Sequence, residues 1–121
     1  MRKEITNNRL WLIQDDLNDL QATSPGVFFL LETRVNQFYQ RNKLALNLLN
    51  KGMRELQKKY IVHDENDKPV YAEIKEGEKK NWKYLESAVD ENGRAIWRHQ
   101  VEETYRRLTE EFLNKSVYVE L

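Results

Sequence analysis

VFFLLETRVNQFYQRNKLALNLLNKGMRELQKKY, residues 27–60, is the stretch that decides the fold. Leu31, Val35, Phe38, Asn42, Ala45, Leu49, Gly52 and Leu56 recur at alternating steps of four and three, which places them on one face of an α-helix. Tyr39, Leu46, Met53 and Tyr60 add a flanking row at intervals of seven, and no proline interrupts the run. The spacing predicts one helix over 25–59, roughly 50 Å long at about 1.5 Å per residue. Asn42 and Gly52 occupy seam positions where a coiled coil prefers Leu or Ile. A buried polar residue in such a seam sets register or oligomeric state at a cost in stability. Leu30, Leu44 and Leu48 fall roughly opposite the main stripe. An isolated helical hairpin leaves them in water, so either the C-terminal helix covers them or another chain does.

Toward the N-terminus, Leu10, Ile13, Leu17 and Leu20 share one helical face, predicting a helix over 7–22. Thr6 or Asn7 can cap it, because a short polar side chain accepts from the free N–H groups of the first turn. Ser24-Pro25-Gly26 breaks the chain, with Pro25 suited to a first helical position where its missing N–H costs nothing. The natural arrangement is a helical hairpin with one long arm.

Toward the C-terminus the period changes. Tyr60-Ile61-Val62 and Val70-Tyr71-Ala72 flank the turn-rich Asp64–Pro69 and predict a β-hairpin over 60–73, followed by a polar connector at 75–80. Residues 82–89 suit helix or strand equally. Asp90-Glu91-Asn92-Gly93 is a second turn, and DENDKPVY from Asp64 echoes DENGRAIW from Asp90. Two similar turns explain this better than a duplication. Trp97, Val101, Tyr105, Leu108 and Phe112 predict a helix over 95–114. Residues 116–121 alternate as a strand that would complete a small three-stranded sheet with the hairpin. The fold class expected is mainly α in one domain: a helical hairpin, a C-terminal helix and a small β-element.

Composition narrows function. The 121 residues carry 20 Lys plus Arg against 20 Asp plus Glu, and no Cys. A neutral chain lacks the basic excess that binds phosphates, so nucleic acid is an unexpected partner. Without cysteine there is neither a disulfide framework nor a thiolate. Val27–Leu31 is the longest apolar run, far short of the roughly 18–20 residues that span a bilayer, and Met1–Glu4 lacks the apolar core of a secretory signal. No membrane partner is expected.

Catalytic patterns are missing. His63 and His99 stand without a Ser, Cys or Asp arrangement that would make a nucleophile and base. The aspartate turns fail as calcium loops, because Pro69 and Lys75, or Ala95 and Val101, stand where Gly and Glu are required. Asp15 and Asp16 diverge by ~100° around a helix and do not converge on one ligand. There is no glycine-rich phosphate loop. No catalytic residue, metal or cofactor is expected. Trp11 and Trp82, in polar surroundings, join Leu30, Leu44 and Leu48 as candidate partner-binding residues, since Trp is enriched at interfaces.

The layout resembles small phage-encoded proteins that lie among virion structural and tail genes. Tyr60-Ile61-Val62, Asp64–Val70 and Val117-Tyr118-Val119 carry the resemblance. It implies a virion component or assembly factor that works by binding other protein subunits, found in the virion or the host cytoplasm. The expected function is thus non-enzymatic and structural, with self-association into a homo-oligomer one way to cover the outer leucines. The alternative is a small phage-encoded module that inhibits or regulates a host protein.

Overall fold

The structure, a computed structural model, describes residues 1–72 and 81–120. In chain order the elements are β1 (Arg2–Thr6), α1 (Asn7–Thr23), α2 (Pro25–Arg41), α3 (Lys43–Tyr60), β2 (Ser87–Val89), β3 (Ala95–Trp97), α4 (Arg98–Leu113) and β4 (Ser116–Glu120). The protein is mainly helical with small antiparallel sheets, as its periodicity dictates. The expected connector at 75–80, residue 73 of the expected hairpin and residue 121 of the last strand lie outside the described residues. The chain divides into two compact units, Met1–Lys51 with Glu111–Leu121, and Gly52–Glu110.

In the first unit, Thr6 caps α1 by accepting from the Arg9 N–H at 3.2 Å. Pro25 opens α2, and the Ser24 carbonyl accepts from the Phe28 N–H at 3.0 Å. The single helix expected over 25–59 is two helices, and Asn42 is the reason. Its backbone N–H still donates to Phe38 O at 3.0 Å, and its carbonyl accepts from Leu46 N–H at 2.9 Å. Its side chain, however, turns to β4: Nδ2 donates to Glu120 O at 2.9 Å and Oδ1 accepts from Glu120 N–H at 2.7 Å. Asn42 thus serves the strand end as a neighbouring strand would, and at 3% exposure it is the buried polar seam residue the heptad left unexplained. Nδ2 also donates to Phe38 O at 2.9 Å, and short polar side chains that bond nearby backbone in this way compete with helix.

β4 pairs not with the 60–73 hairpin, as expected, but antiparallel with β1, Ile5 facing Val117 and Lys3 facing Val119. Arg2–Thr6 carries Ile5 as its one apolar residue, too little alternation to read as a strand. Buried side chains of this unit include Ile5, Leu10, Val35, Leu46, Leu49 and Val119. Gln14 on α1 and Asn50 on α3 exchange two amide hydrogen bonds of 3.0 and 2.9 Å. Asn7 donates from its backbone to Lys115 O at 2.8 Å and from Nδ2 to Phe112 O at 3.0 Å, fixing the start of α1 to the chain entering β4.

The second unit packs Tyr60, Ile61, Tyr84, Ile96, Val101 and Tyr105 into one core. The third partner of the 60–72 hairpin is the segment around Trp82–Leu85, which is extended rather than helical. Val62 N–H donates to Lys83 O at 2.8 Å, Lys83 N–H to Val70 O at 2.9 Å, and Val70 N–H to Val62 O at 2.9 Å. Three extended segments therefore meet in a closed ring of backbone hydrogen bonds. Residues 95–97, expected as the start of the last helix, form β3 against β2. The turn before them directs this: Asp90 N–H bonds Arg94 O at 2.9 Å, and Gly93 takes φ +78°. Ala88 and Ile96 then face the core while Trp97, 60% exposed, faces water.

The two DEN stretches are the same turn. Asp64 Oδ1 accepts from the N–H groups of Asn66 and Lys68 at 2.8 and 3.0 Å, and Asp90 Oδ1 from those of Asn92 and Arg94 at 2.9 and 2.9 Å. The fourth residue of each is left-handed, Asp67 at φ 60° and Gly93 at φ 78°. A type I turn followed by one left-handed residue is a standard way to close a hairpin.

Candidate functional site

Leu30 is 81% exposed, Leu44 73% and Leu48 58%, so the first unit leaves them uncovered. The three belong to the first unit. On α2, Val27, Leu30, Arg34, Gln37 and Arg41 follow steps of three and four, which makes one exposed face, apolar at its start and basic at its end. On α3, Leu44 and Leu48 are one turn apart. Both line an open groove of about 410 Å³ floored by Ala45, Val117 and Val119 and edged by Arg41, Tyr118 and Glu120. Arg41 and Glu120 also line an adjoining groove of about 270 Å³ with Arg34, Gln37 and Phe38. The α2 face and the α3 leucines therefore border one continuous strip.

The first turn of α2 adds to it. Val27, Phe29 and Leu30 are 51, 72 and 81% exposed. From Leu20 to Leu31 no residue is charged, in a chain one third charged. The start of α2 is therefore apolar and open to water.

Trp11 and Trp82 are arranged differently. Trp11 on α1 is half-buried. Trp82 belongs to the second unit, where it packs against the core and stacks on Tyr71 with ring centroids 4.3 Å apart and planes 14° apart. Much of its apolar surface is spent within the chain. Sequence reasoning missed Tyr118, 57% exposed at the groove edge, with Arg2 lying 4.4 Å above its ring centroid. The alternation of Val117-Tyr118-Val119 holds the signal: if the valines face inward, the tyrosine faces out.

Backbone hydrogen bonding and burial set the titratable groups whose range is shifted. Backbone hydrogen bonds hold the Asp64 and Asp90 carboxyls below their usual range. Burial pushes the Tyr60, Tyr84 and Tyr105 hydroxyls upward. Tyr60, Tyr84 and Tyr105 meet in the core of the second unit, with the Tyr105 ring centroid 6.4 Å from that of Tyr60 and 5.7 Å from that of Tyr84. Among the described residues no three His, Cys, Asp or Glu side chains are grouped to hold a metal ion, and no helix is long and apolar enough to cross a membrane.

Comparison of the chain with protein-family models, with curated proteins and with solved structures returns no match.

Proposed function

We propose that the chain is a non-enzymatic component of a larger protein assembly, docking through the strip that runs from Leu30 past Arg41 to Leu44 and Leu48. The observation that carries this reading is the exposure of all three leucines, at 81, 73 and 58%, where the main stripe of α2 and α3 is buried or half-buried from Val35 to Leu56. Fully burying one leucine is worth about 1.5–3 kcal/mol, so three supply several kcal/mol toward association. Against the cost of immobilising two partners, that anchors an interface without completing one. Charged and polar contacts around the leucines must supply the rest. A place in a phage particle is the setting that fits the layout of strand, turn and C-terminal strand. Inhibition of a host protein would use the same surface.

Site-directed photo-cross-linking tests the reading. A benzophenone side chain placed at position 30, 44 or 48, in cells or particles that carry the protein, should yield a discrete adduct. The same group at Asn18, exposed on α1, should yield none. No adduct from any of the three positions, or equal adducts from position 18, would defeat it.

A further inference from the structure

The geometry points to the chemistry of the partner: an acidic amphipathic helix, lying with its apolar face on Leu30, Leu44, Leu48 and Tyr118 and its carboxylates against Arg34 and Arg41. The inference rests on the docking function proposed above and names the class of segment that docks.

Charge distribution carries it. The chain as a whole is neutral, yet its charge is not evenly spread. From Pro25 to Lys51 there are four cations, Arg34, Arg41, Lys43 and Lys51, and one acid, Glu32. On α1 the balance is reversed, with Asp15, Asp16 and Asp19 against Arg9. The helices that bear the exposed leucines thus bear the basic excess of this unit. Arg34 and Arg41 lie two turns apart on the face that starts with Leu30, and both line the grooves that continue to Leu44 and Leu48. The acids on this side are Glu4, which faces Tyr118 in the sheet register, and Glu120, which sits 3.8 Å from the N-terminal ammonium.

The same distribution argues against a second copy as occupant. A two-fold contact sets one patch against itself, so a cationic strip meets its own cations. Like charges across an interface are strongly disfavoured. An acidic helix with leucine-sized residues every three or four positions meets both features, since the apolar row fills the groove and flanking carboxylates reach bidentate arginine partners.

The test uses the whole chain and two labelled peptides of about 18 residues, some five helical turns. One has Leu on one face and Glu on the other, and its twin has Lys for every Glu. Fluorescence anisotropy at about 50 mM and about 500 mM salt spans the range over which surface charges are screened. We expect the acidic peptide to bind at least about tenfold more tightly at low salt, with the preference shrinking at high salt. Arg34→Glu with Arg41→Glu should reverse the preference. Leu44→Ser with Leu48→Ser should weaken both peptides alike. All four side chains are exposed, and circular dichroism checks that each variant folds.

Equal binding of the twins, or tighter binding of the basic one, overturns the inference while a cross-link from position 44 would leave the docking function standing. Two other results also overturn it. One is a dimer by light scattering that Leu44→Ser with Leu48→Ser converts to monomer, which would make a second copy the occupant. The other is recruitment to phosphatidylserine vesicles that the acidic peptide does not displace, which would make it a membrane.

Discussion

Replacing Asn42 by leucine asks whether the seam wants an apolar residue or a strand partner. The asparagine side chain makes three hydrogen bonds: Nδ2 to Phe38 O and to Glu120 O, each 2.9 Å, and Oδ1 from Glu120 N–H at 2.7 Å. A net worth of about 1 kcal/mol apiece puts about 3 kcal/mol at stake. Leucine recovers about 0.5 kcal/mol through its better helix propensity. Some recovery also comes from water reaching the partly exposed Glu120, so we expect a net loss of about 2 kcal/mol. For 121 residues the unfolding entropy is about 0.25 kcal/mol/K, so the melting temperature should fall by about 8 °C. Thermal melts by circular dichroism measure this. Amide exchange adds a local readout: the Glu120 N–H should lose its protection. If leucine leaves the melting temperature unchanged or raises it, and helicity rises too, the heptad rather than the bond to β4 governs residue 42, and the reasoning fails.

The twin turns give opposite predictions at equivalent positions. Gly93→Ala forces a side chain to φ +78° where no atom lies within 4 Å, so backbone strain alone should cost about 1–2 kcal/mol in a urea melt. Asp67→Gly relieves a residue at φ 60° and should be neutral or stabilising by about 0.5 kcal/mol, whereas a loss above about 1 kcal/mol would show that the Asp67 side chain does something the turn does not explain. Acid stability should follow the turn aspartates: both carboxyls sit below their usual 3.8 when folded, so their contribution is present above that pH and is lost as pH falls through the folded values. Asp64→Asn with Asp90→Asn keeps an acceptor oxygen but cannot titrate, so its stability should fall less steeply between about pH 4 and pH 2, and an unchanged acid limb would refute the assignment.

Much of this architecture is legible in periodicity, and the departures share a cause. Helix α1, the hairpin break at Ser24-Pro25 and the buried face of α4 follow from apolar spacing and capping chemistry, because those are local rules. The break at Asn42 does not, because it depends on a hydrogen-bond partner 78 residues away at Glu120. β1 is illegible in the sequence for the same reason. Its single buried residue, Ile5, makes a strand only when β4 is beside it. Trp97 fits the helical row of Val101 and Tyr105 but lies in a strand, since Gly93 closes the chain on β2 before α4 begins. In the candidate surface, Leu30, Leu44 and Leu48 could be named from the helical wheel. That they line one strip with Arg34, Arg41 and Tyr118 required β4 to be placed beside α3. Trp82 stands out in the sequence as a large aromatic among polar neighbours, but its stacking on Tyr71 is a contact between segments that no spacing encodes.

Velocity sedimentation of the protein from cells or particles that carry it tests the docking function most directly, comparing the native chain with Leu44→Glu plus Leu48→Glu. Both residues are exposed, so the double variant should keep its circular dichroism spectrum and melting temperature within about 0.5 kcal/mol of stability. We predict that the native chain travels in a complex far larger than its own 14.6 kDa and that the variant returns to the monomer position. A native chain that sediments alone, or a folded variant that stays in the complex, would contradict the assignment of this strip as the docking surface.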